Sequence, residues 1–143
     1  MRYILDASVA IKWYVKGTEH PNADIIMEML IEKPNNFAVP ELFSYEMLSV
    51  LYMHHPEAKQ IFDKDINRIL HSGILRYPMT ENIYTRSDRF VKAGLNGYDA
   101  VYVALAEELN GVWLTFDVKA HNKIVSEKLS INLFETSIEE IDI

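Results

Sequence analysis

Short apolar runs alternate with helical patterns along the chain, and this alternation limits the choice of fold more than any other feature. The runs predicted as buried strands are residues 3–5, 37–39, 74–77, 112–116 and 131–134, the last at a sheet edge. The predicted helices are residues 8–15, 22–32, 41–53, 98–109 and 118–128, a segment that Pro56 opens and Ser72–Gly73 closes, and a helix that Thr80 caps and that runs to about Ala93. Strands separated by helices predict right-handed crossovers. We therefore expect a three-layer α/β/α sandwich around a mostly parallel sheet of four to five strands.

Length and composition restrict the class of protein. The chain has 143 residues, 49% of them apolar, so we expect a single domain over residues 1–143 with a sizeable core. It contains no cysteine, which excludes disulfides, thiolate catalysis and cysteine-based metal sites. No apolar run approaches the ~20 residues of a membrane helix, and the N-terminus does not read as a secretion signal. The expectation is a cytoplasmic protein that does not enter a membrane.

The charge balance is acidic. Asp and Glu number 21 against 14 Lys and Arg, giving a net charge of −7, whereas general nucleic-acid binders usually carry a basic surface. A nucleic-acid ligand would therefore need local basic groups or bound cations to attract it. Part of the acidity lies in the segment 135–142, which we interpret as a solvated surface tail.

Acidic side chains stand at places where the apolar pattern does not require them. Asp6 follows the first strand, Glu46 interrupts an apolar helix stripe, Asp99 heads a strongly apolar helix, and Asp117 follows the fourth strand. Ligands of parallel sheets bind beyond the carboxyl ends of the strands, so these side chains could converge there. Gathering them is unfavourable, because two carboxylates about 5 Å apart repel by roughly 3 kcal/mol at an effective dielectric of about 20. A hard divalent cation would offset that repulsion, so the pattern makes the chain a candidate metal-dependent hydrolase.

Each acidic residue also has an ordinary structural interpretation. Asp6, Asp99 and Asp117 all precede or begin helices and could accept a backbone N–H as N-caps. Glu46 requires a partner if it is buried, which could be an Arg, a Lys or a metal. Glu41 stands in the first turn of its helix, where negative charge suits the helix dipole, and we interpret it as structural.

Four segments resemble a known family. They are LDASVAIKW at 5–13, VPELFSYEMLSVL at 39–51, GYDAVYVALA at 97–106 and LTFD at 114–117. In order and spacing the chain is similar to the PIN domain, and within that family to the VapC-type toxins of toxin–antitoxin pairs. The stretch from about 54 to 80 carries none of the resemblance.

The resemblance implies a function as well as a fold. It implies an acidic site, catalytic and metal-binding, on four carboxylates: Asp6, Glu46, Asp99 and Asp117. Ser8 and Thr115 match positions whose hydroxyls support that site. The implied activity is Mg²⁺- or Mn²⁺-dependent endoribonuclease cleavage of RNA phosphodiester bonds. The implied partners are an RNA substrate, a cognate antitoxin with a basic segment, and a second copy of the chain in a homodimer.

Two positions depart from the family pattern, and other functions stay open. Ser49 stands where many relatives have Asn, and Lys119 stands where many have a polar or acidic residue, so a second metal is in doubt. The first alternative is a catalytically weak or inactive PIN-like module that binds protein or RNA. The second is an aspartyl-phosphate phosphatase, which the sequence Asp6-Ala7-Ser8 disfavours because that chemistry usually places another Asp two residues on.

Overall fold

The central sheet of the molecule is parallel throughout. A computed structural model of the chain describes residues 1–135 and 137. Their strands are β1 (Tyr3–Leu5), β2 (Phe37–Pro40), β3 (Leu75–Tyr77), β4 (Val112–Thr115) and β5 (Ser130–Asn132). The sheet order is β3-β2-β1-β4-β5, with Ile4 of β1 aligned on Ala38 of β2 and on Trp113 of β4. The helices cover both faces, as expected for an α/β/α sandwich.

The helices of the described chain connect these strands. They are α1 (Ala7–Tyr14), α2 (Pro21–Glu32), α3 (Leu42–His54), α4 (Ala58–Ile61), α5 (Asn67–Leu70), α6 (Glu81–Lys92), α7 (Gly97–Glu108) and α8 (Val118–Lys123). Short 3₁₀ turns cover Pro34–Asn36 and Val125–Glu127. Helix α7 contacts β1, β2 and β4, with α6 packed along it, while α1 contacts α2 and α3. Among the described residues, no helix is both long enough and apolar enough to cross a bilayer.

The core follows the apolar pattern closely. All three residues of β1 are buried, as are all four of β2. The most apolar helix, α7, buries its residues Ala100 and Tyr102 to Ala106. The Tyr102 ring stacks on Trp113 of β4 with 5.8 Å between ring centroids. This packing fixes α7 against the middle of the sheet.

The boundaries differ from the sequence-based prediction by more than one residue in three places. The helix predicted after Pro56 is interrupted by a π-helical turn at Phe62–Ile66. The last predicted helix ends at Lys123 and continues only as a 3₁₀ turn, closed by Lys128 in the left-handed region with φ 59°. The last strand was predicted to reach residue 134, but it ends at Asn132, whose side-chain Oδ1 accepts the Phe134 N–H at 3.0 Å and so begins a turn. Most of the acidic segment 135–142 lies outside the described residues.

Candidate active site

The fold brings the ends of β1 and β4 side by side. Asp6 directly follows β1, and Asp117 comes two residues after the end of β4. These two strands are neighbours in register, with Leu5 aligned on Leu114, and the Asp6 N–H donates to the Leu114 carbonyl at 3.3 Å. Two of the predicted acidic residues are therefore held at the same sheet edge by main-chain pairing.

Asp6 is a buried carboxylate held by hydroxyl groups. It is only 6% exposed, and the hydroxyls of Ser8 and Thr115 donate to its Oδ2 atom at 2.5 and 2.8 Å. Burial is the main cause that raises the pKa of Asp6 to about 6; the two hydroxyls lower it, and the charges of Glu46 and Asp117 raise it further. Although Asp6 occupies the N-cap position of α1, its side chain makes no capping hydrogen bond. The capping interpretation of Asp6 is therefore wrong.

The two supporting hydroxyls also order the loop after β4. Ser8 Oγ accepts the Phe116 N–H at 3.1 Å, and Thr115 Oγ1 accepts the Asp117 N–H at 3.0 Å. Thr115 is fully buried. Both residues therefore orient Asp6 and fix the backbone that carries Asp117.

Glu46 on α3 has a partner that the sequence did not predict. The Tyr102 hydroxyl of α7 donates to Glu46 Oε1 at 2.6 Å. Burial raises the pKa of Glu46, the Tyr102 hydrogen bond lowers it, and the nearby charge of Asp99 raises it again. The pKa of Tyr102 is itself raised well above its ordinary value, chiefly by burial, so the phenol keeps its proton and acts as the donor. Neither an Arg nor a Lys is the partner among the contacts of the described residues.

Asp99 and Asp117 differ in whether the side chain caps its helix. Asn96 is the N-cap of α7, and its Oδ1 accepts the Asp99 N–H at 2.8 Å. The Asp99 carboxylate is therefore not the cap, and its pKa is raised to about 6, first by burial and then by the charges of Asp6 and Asp117. Asp117 does cap α8, with Oδ1 accepting the Ala120 N–H at 3.0 Å.

The four predicted acidic residues share one electrostatic environment. Asp6 is influenced by Glu46 and Asp117, Asp99 by Asp6 and Asp117, and Glu46 by Asp99. Within residues 1–135, no Arg or Lys lies within 4.0 Å of any of the four carboxylates. The structure thus brings together acidic groups from two helices, α3 and α7, and from the ends of two strands, β1 and β4, without a neutralising ion pair in the described chain.

The donor chemistry of this cluster fits a hard divalent cation. The hydrogen bonds described above use Oδ2 of Asp6, Oε1 of Glu46 and Oδ1 of Asp117, so the second oxygen of each carboxylate is not engaged in them. Carboxylate oxygens are the ligands that Mg²⁺ prefers. No set of three His, Asp or Glu side chains in the described chain is already arranged to ligate one ion. Mg²⁺ keeps several of its waters, so it needs only one or two direct carboxylate ligands.

Two residues of this site were missed by sequence reasoning. Tyr102 comes three residues after Asp99 on one face of α7, a spacing that places both side chains near the same partner. Asn96, three residues before Asp99, has the spacing of an N-cap followed by an acidic N3 residue. Both signals are present in the sequence, but only the three-dimensional structure shows that Tyr102 of α7 meets Glu46 of α3.

The sequence matches the PIN domain family over residues 3–124. This chain therefore belongs to the PIN domain family, whose members are generally nucleases. A comparison with curated protein sequences returns no match.

Solved structures share the fold at low sequence identity. FitAcB from Neisseria gonorrhoeae has a TM-score of 0.71 and 12% identity, over 94% of this chain and 99% of that chain. A toxin–antitoxin complex from Klebsiella pneumoniae has a TM-score of 0.66 and 15% identity, over 94% and 99%. PAE2754 from Pyrobaculum aerophilum has a TM-score of 0.64 and 20% identity, over 94% and 90%. At these identities the likeness establishes the common fold alone.

Proposed function

We propose that this PIN domain is a Mg²⁺- or Mn²⁺-dependent endoribonuclease and the toxin of a VapBC-type pair. The observation that carries the proposal is the cluster of Asp6, Glu46, Asp99 and Asp117, in which neighbouring carboxylates raise the pKa values of the first three. None of the four has an Arg or Lys partner within residues 1–135. Such a cluster is unfavourable in the free protein and favourable around a divalent ion.

Each acidic residue has a role in the proposed reaction. Asp6, Glu46 and Asp99 would hold the first ion, one or two of them directly and the others through its waters. Asp117 would help to hold it or a second one, directly or through water. When bound, the ion lowers the pKa of a coordinated water and offsets negative charge on the phosphate. No side chain of the chain needs to act as the nucleophile.

The neighbouring groups support these roles by fixing the carboxylates. Ser8 and Thr115 hold one oxygen of Asp6, which leaves the plane of that carboxylate defined. Tyr102 does the same for Glu46. Hydrogen bonds of this kind to ligating carboxylates orient them and are a large part of metal affinity.

The proposed partners follow from the family and the charge. The toxin–antitoxin complex from Klebsiella pneumoniae has a similar fold, which supports an antitoxin partner for this chain. A net charge of −7 suits a partner with a basic segment that covers the acidic site. We include a homodimer and a cytoplasmic RNA substrate in the proposal, as the family resemblance implies.

Cleavage of RNA by an Asp6 variant tests the activity. Wild type should cleave single-stranded RNA with Mg²⁺ or Mn²⁺ and stop when EDTA is added. Asp6→Asn should lower the rate at least about 100-fold, because losing even a group that only supports a metal ligand costs about 10- to 100-fold. The circular dichroism spectrum should be unchanged. Glu41→Gln is the matched control and should keep full activity, because Glu41 is an exposed acidic residue at the N-cap of the helix that carries Glu46. Equal cleavage by wild type and Asp6→Asn, in preparations free of contaminating nuclease, would refute the proposal.

The binding-module alternative has one observation in its favour. Ser49 and Lys119 replace residues that many relatives use near the acidic site, and Lys119 is exposed beside it. A pure binding module would bind no Mn²⁺ through Asp6 and Asp99. Metal titration therefore separates the two functions.

A further inference from the structure

A cleft opens beside the acidic cluster and contains basic groups. Its volume is about 370 Å³. The residues that line it come from the loop before α7, the start of α7, the end of β4 and α8: Gly94, Leu95, Asn96, Asp99, Asp117, Lys119, Ala120 and Lys123. Two acidic residues of the candidate site and two lysines therefore face the same space.

The two lysines lie on one face of α8. Lys119 and Lys123 are four residues apart, so their side chains emerge one helical turn from each other. Both are exposed, and neither forms an ion pair within 4.0 Å of a carboxylate in the described chain. Lys123 Nζ donates to the Gly94 carbonyl at 3.1 Å, which holds it at the edge of the cleft. The charge of Lys123 lowers the pKa of Asp99, so this lysine is close enough to affect the acidic cluster.

Another lysine near the same edge is engaged elsewhere. Lys12 Nζ lies 4.6 Å from the ring centre of Phe116 and 5.2 Å from that of Phe134. It also donates to the Thr18 carbonyl at 3.1 Å. Lys12 is thus covered by two aromatic rings in addition to its carbonyl contact, whereas no ring covers Lys119 or Lys123 in the described chain. Lys123 has one carbonyl contact of its own, which leaves two of its three ammonium protons for a ligand.

An RNA substrate needs such groups on this particular chain. A polyanion approaching a protein of net charge −7 is repelled at long range, and most nucleic-acid affinity comes from neutralised phosphates. A metal in the acidic cluster would neutralise charge at the reacting phosphate but not at the neighbouring ones. Lysines in the adjoining cleft are placed to do so.

We propose that Lys119 and Lys123 bind the RNA backbone phosphate next to the cleaved bond and position the strand over the acidic cluster. The inference rests on the proposed nuclease function and makes these lysines positioning residues. Their contribution is electrostatic, so it should affect the substrate affinity and the salt dependence of that affinity. It should have little effect on kcat, the rate constant of the bound complex.

The test compares Lys119→Ala and Lys123→Ala with wild type in two measurements. In cleavage assays with Mg²⁺, each variant should raise KM about 5- to 30-fold and change kcat less than about 3-fold. In fluorescence anisotropy with a labelled single-stranded RNA, each should lower the slope of log affinity against log salt by about 0.7. Lys119→Arg and Lys123→Arg should restore most of the affinity. Lys33→Ala, an exposed lysine after α2 at the opposite end of the strands, is the control and should behave as wild type.

Several results would overturn the inference, and they differ from failure of the proposed function. Unchanged KM and salt slope in both lysine variants would overturn it while leaving the nuclease intact. A fall in kcat with unchanged KM would also overturn it, because the lysines would then act on the chemical step. If wild type cleaves no RNA with either metal, the nuclease proposal fails, and the anisotropy slopes still decide whether these lysines contact phosphate. If wild type binds no RNA, both the lysine inference and the nuclease proposal are refuted.

Discussion

Ionisation of Asp6 is unfavourable in the metal-free site. It is buried, two hydroxyls stabilise its charged form, and burial together with two carboxylates nevertheless raises its pKa from 3.8 to about 6. The hydroxyls are therefore too weak to offset desolvation and repulsion. A bound cation would supply the additional stabilisation that the ionised carboxylate requires.

The pH dependence of stability follows from this pKa. A carboxyl whose pKa is higher in the folded state binds more protons there, so the free energy of unfolding falls as pH rises from about 4 to about 6. The shift corresponds to roughly 3 kcal/mol once Asp6 is fully ionised. Asp99 adds a smaller effect of the same sign, because it is only partly buried.

We predict that Asp6→Asn stabilises the metal-free protein near neutral pH. Urea unfolding in EDTA should show the variant more stable than wild type by up to roughly 3 kcal/mol at pH 7, with the difference vanishing at pH 4. Glu28→Gln, which removes an exposed acid on α2, should follow wild type at both pH values. A variant less stable than wild type at pH 7 would mean that Asp6 holds the fold together rather than straining it.

Tyr102 gives a second prediction at the residue scale. Tyr102→Phe removes the hydroxyl that donates to Glu46 Oε1 and should destabilise the protein by about 1 kcal/mol. The loss should also raise the pKa of Glu46 further and weaken Mn²⁺ binding about 10-fold, the lower range for a group that supports a metal ligand. Calorimetry with Mn²⁺ measures this, and Tyr84→Phe, an exposed tyrosine on α6, is the control. Equal Mn²⁺ affinity in Tyr102→Phe and wild type would show that Glu46 needs no orienting partner.

At the level of elements, hydrophobic periodicity predicted which segments form helices and strands. Local hydrogen bonding and packing decided where those elements end. The strand at Tyr3–Leu5 and helix α6 after its Thr80 cap were predictable because an apolar run or a capped amphipathic pattern needs no distant partner. The π turn at Phe62–Ile66 and the early end of β5 at Asn132 were not, since each depends on local hydrogen bonding that the hydrophobic pattern does not encode.

The N-cap of α7 links helix stability to the position of Asp99. Asn96→Ala removes the acceptor for the Asp99 N–H and should destabilise the protein by about 1 kcal/mol in urea unfolding. The same change should loosen the first turn of α7 and weaken Mn²⁺ binding. Asn96→Ser keeps a capping oxygen and should restore both. If Asn96→Ala and Asn96→Ser behave alike, the cap does not position Asp99.

At the scale of the whole molecule, the sheet topology made the location of the site predictable from sequence. The contacts between its side chains were not predictable. Parallel strands end at one edge, so Asp6 and Asp117 could be placed together from the chain alone. The contact of Glu46 with Tyr102, and the effect of neighbouring charges on Asp6, Glu46 and Asp99, depend on how α3 and α7 pack against β2. No spacing along the sequence contains that information, because the residues come from separate helices.

Metal titration tests the account most directly. Mn²⁺ added to the EDTA-treated, dialysed protein in a calorimeter should bind wild type, and Asp6→Asn and Asp99→Asn should each weaken binding at least about 10-fold. Glu28→Gln should leave it unchanged. Absence of Mn²⁺ binding by folded wild type, or equal binding by wild type and both Asn variants, would contradict the claim that these carboxylates form one metal site.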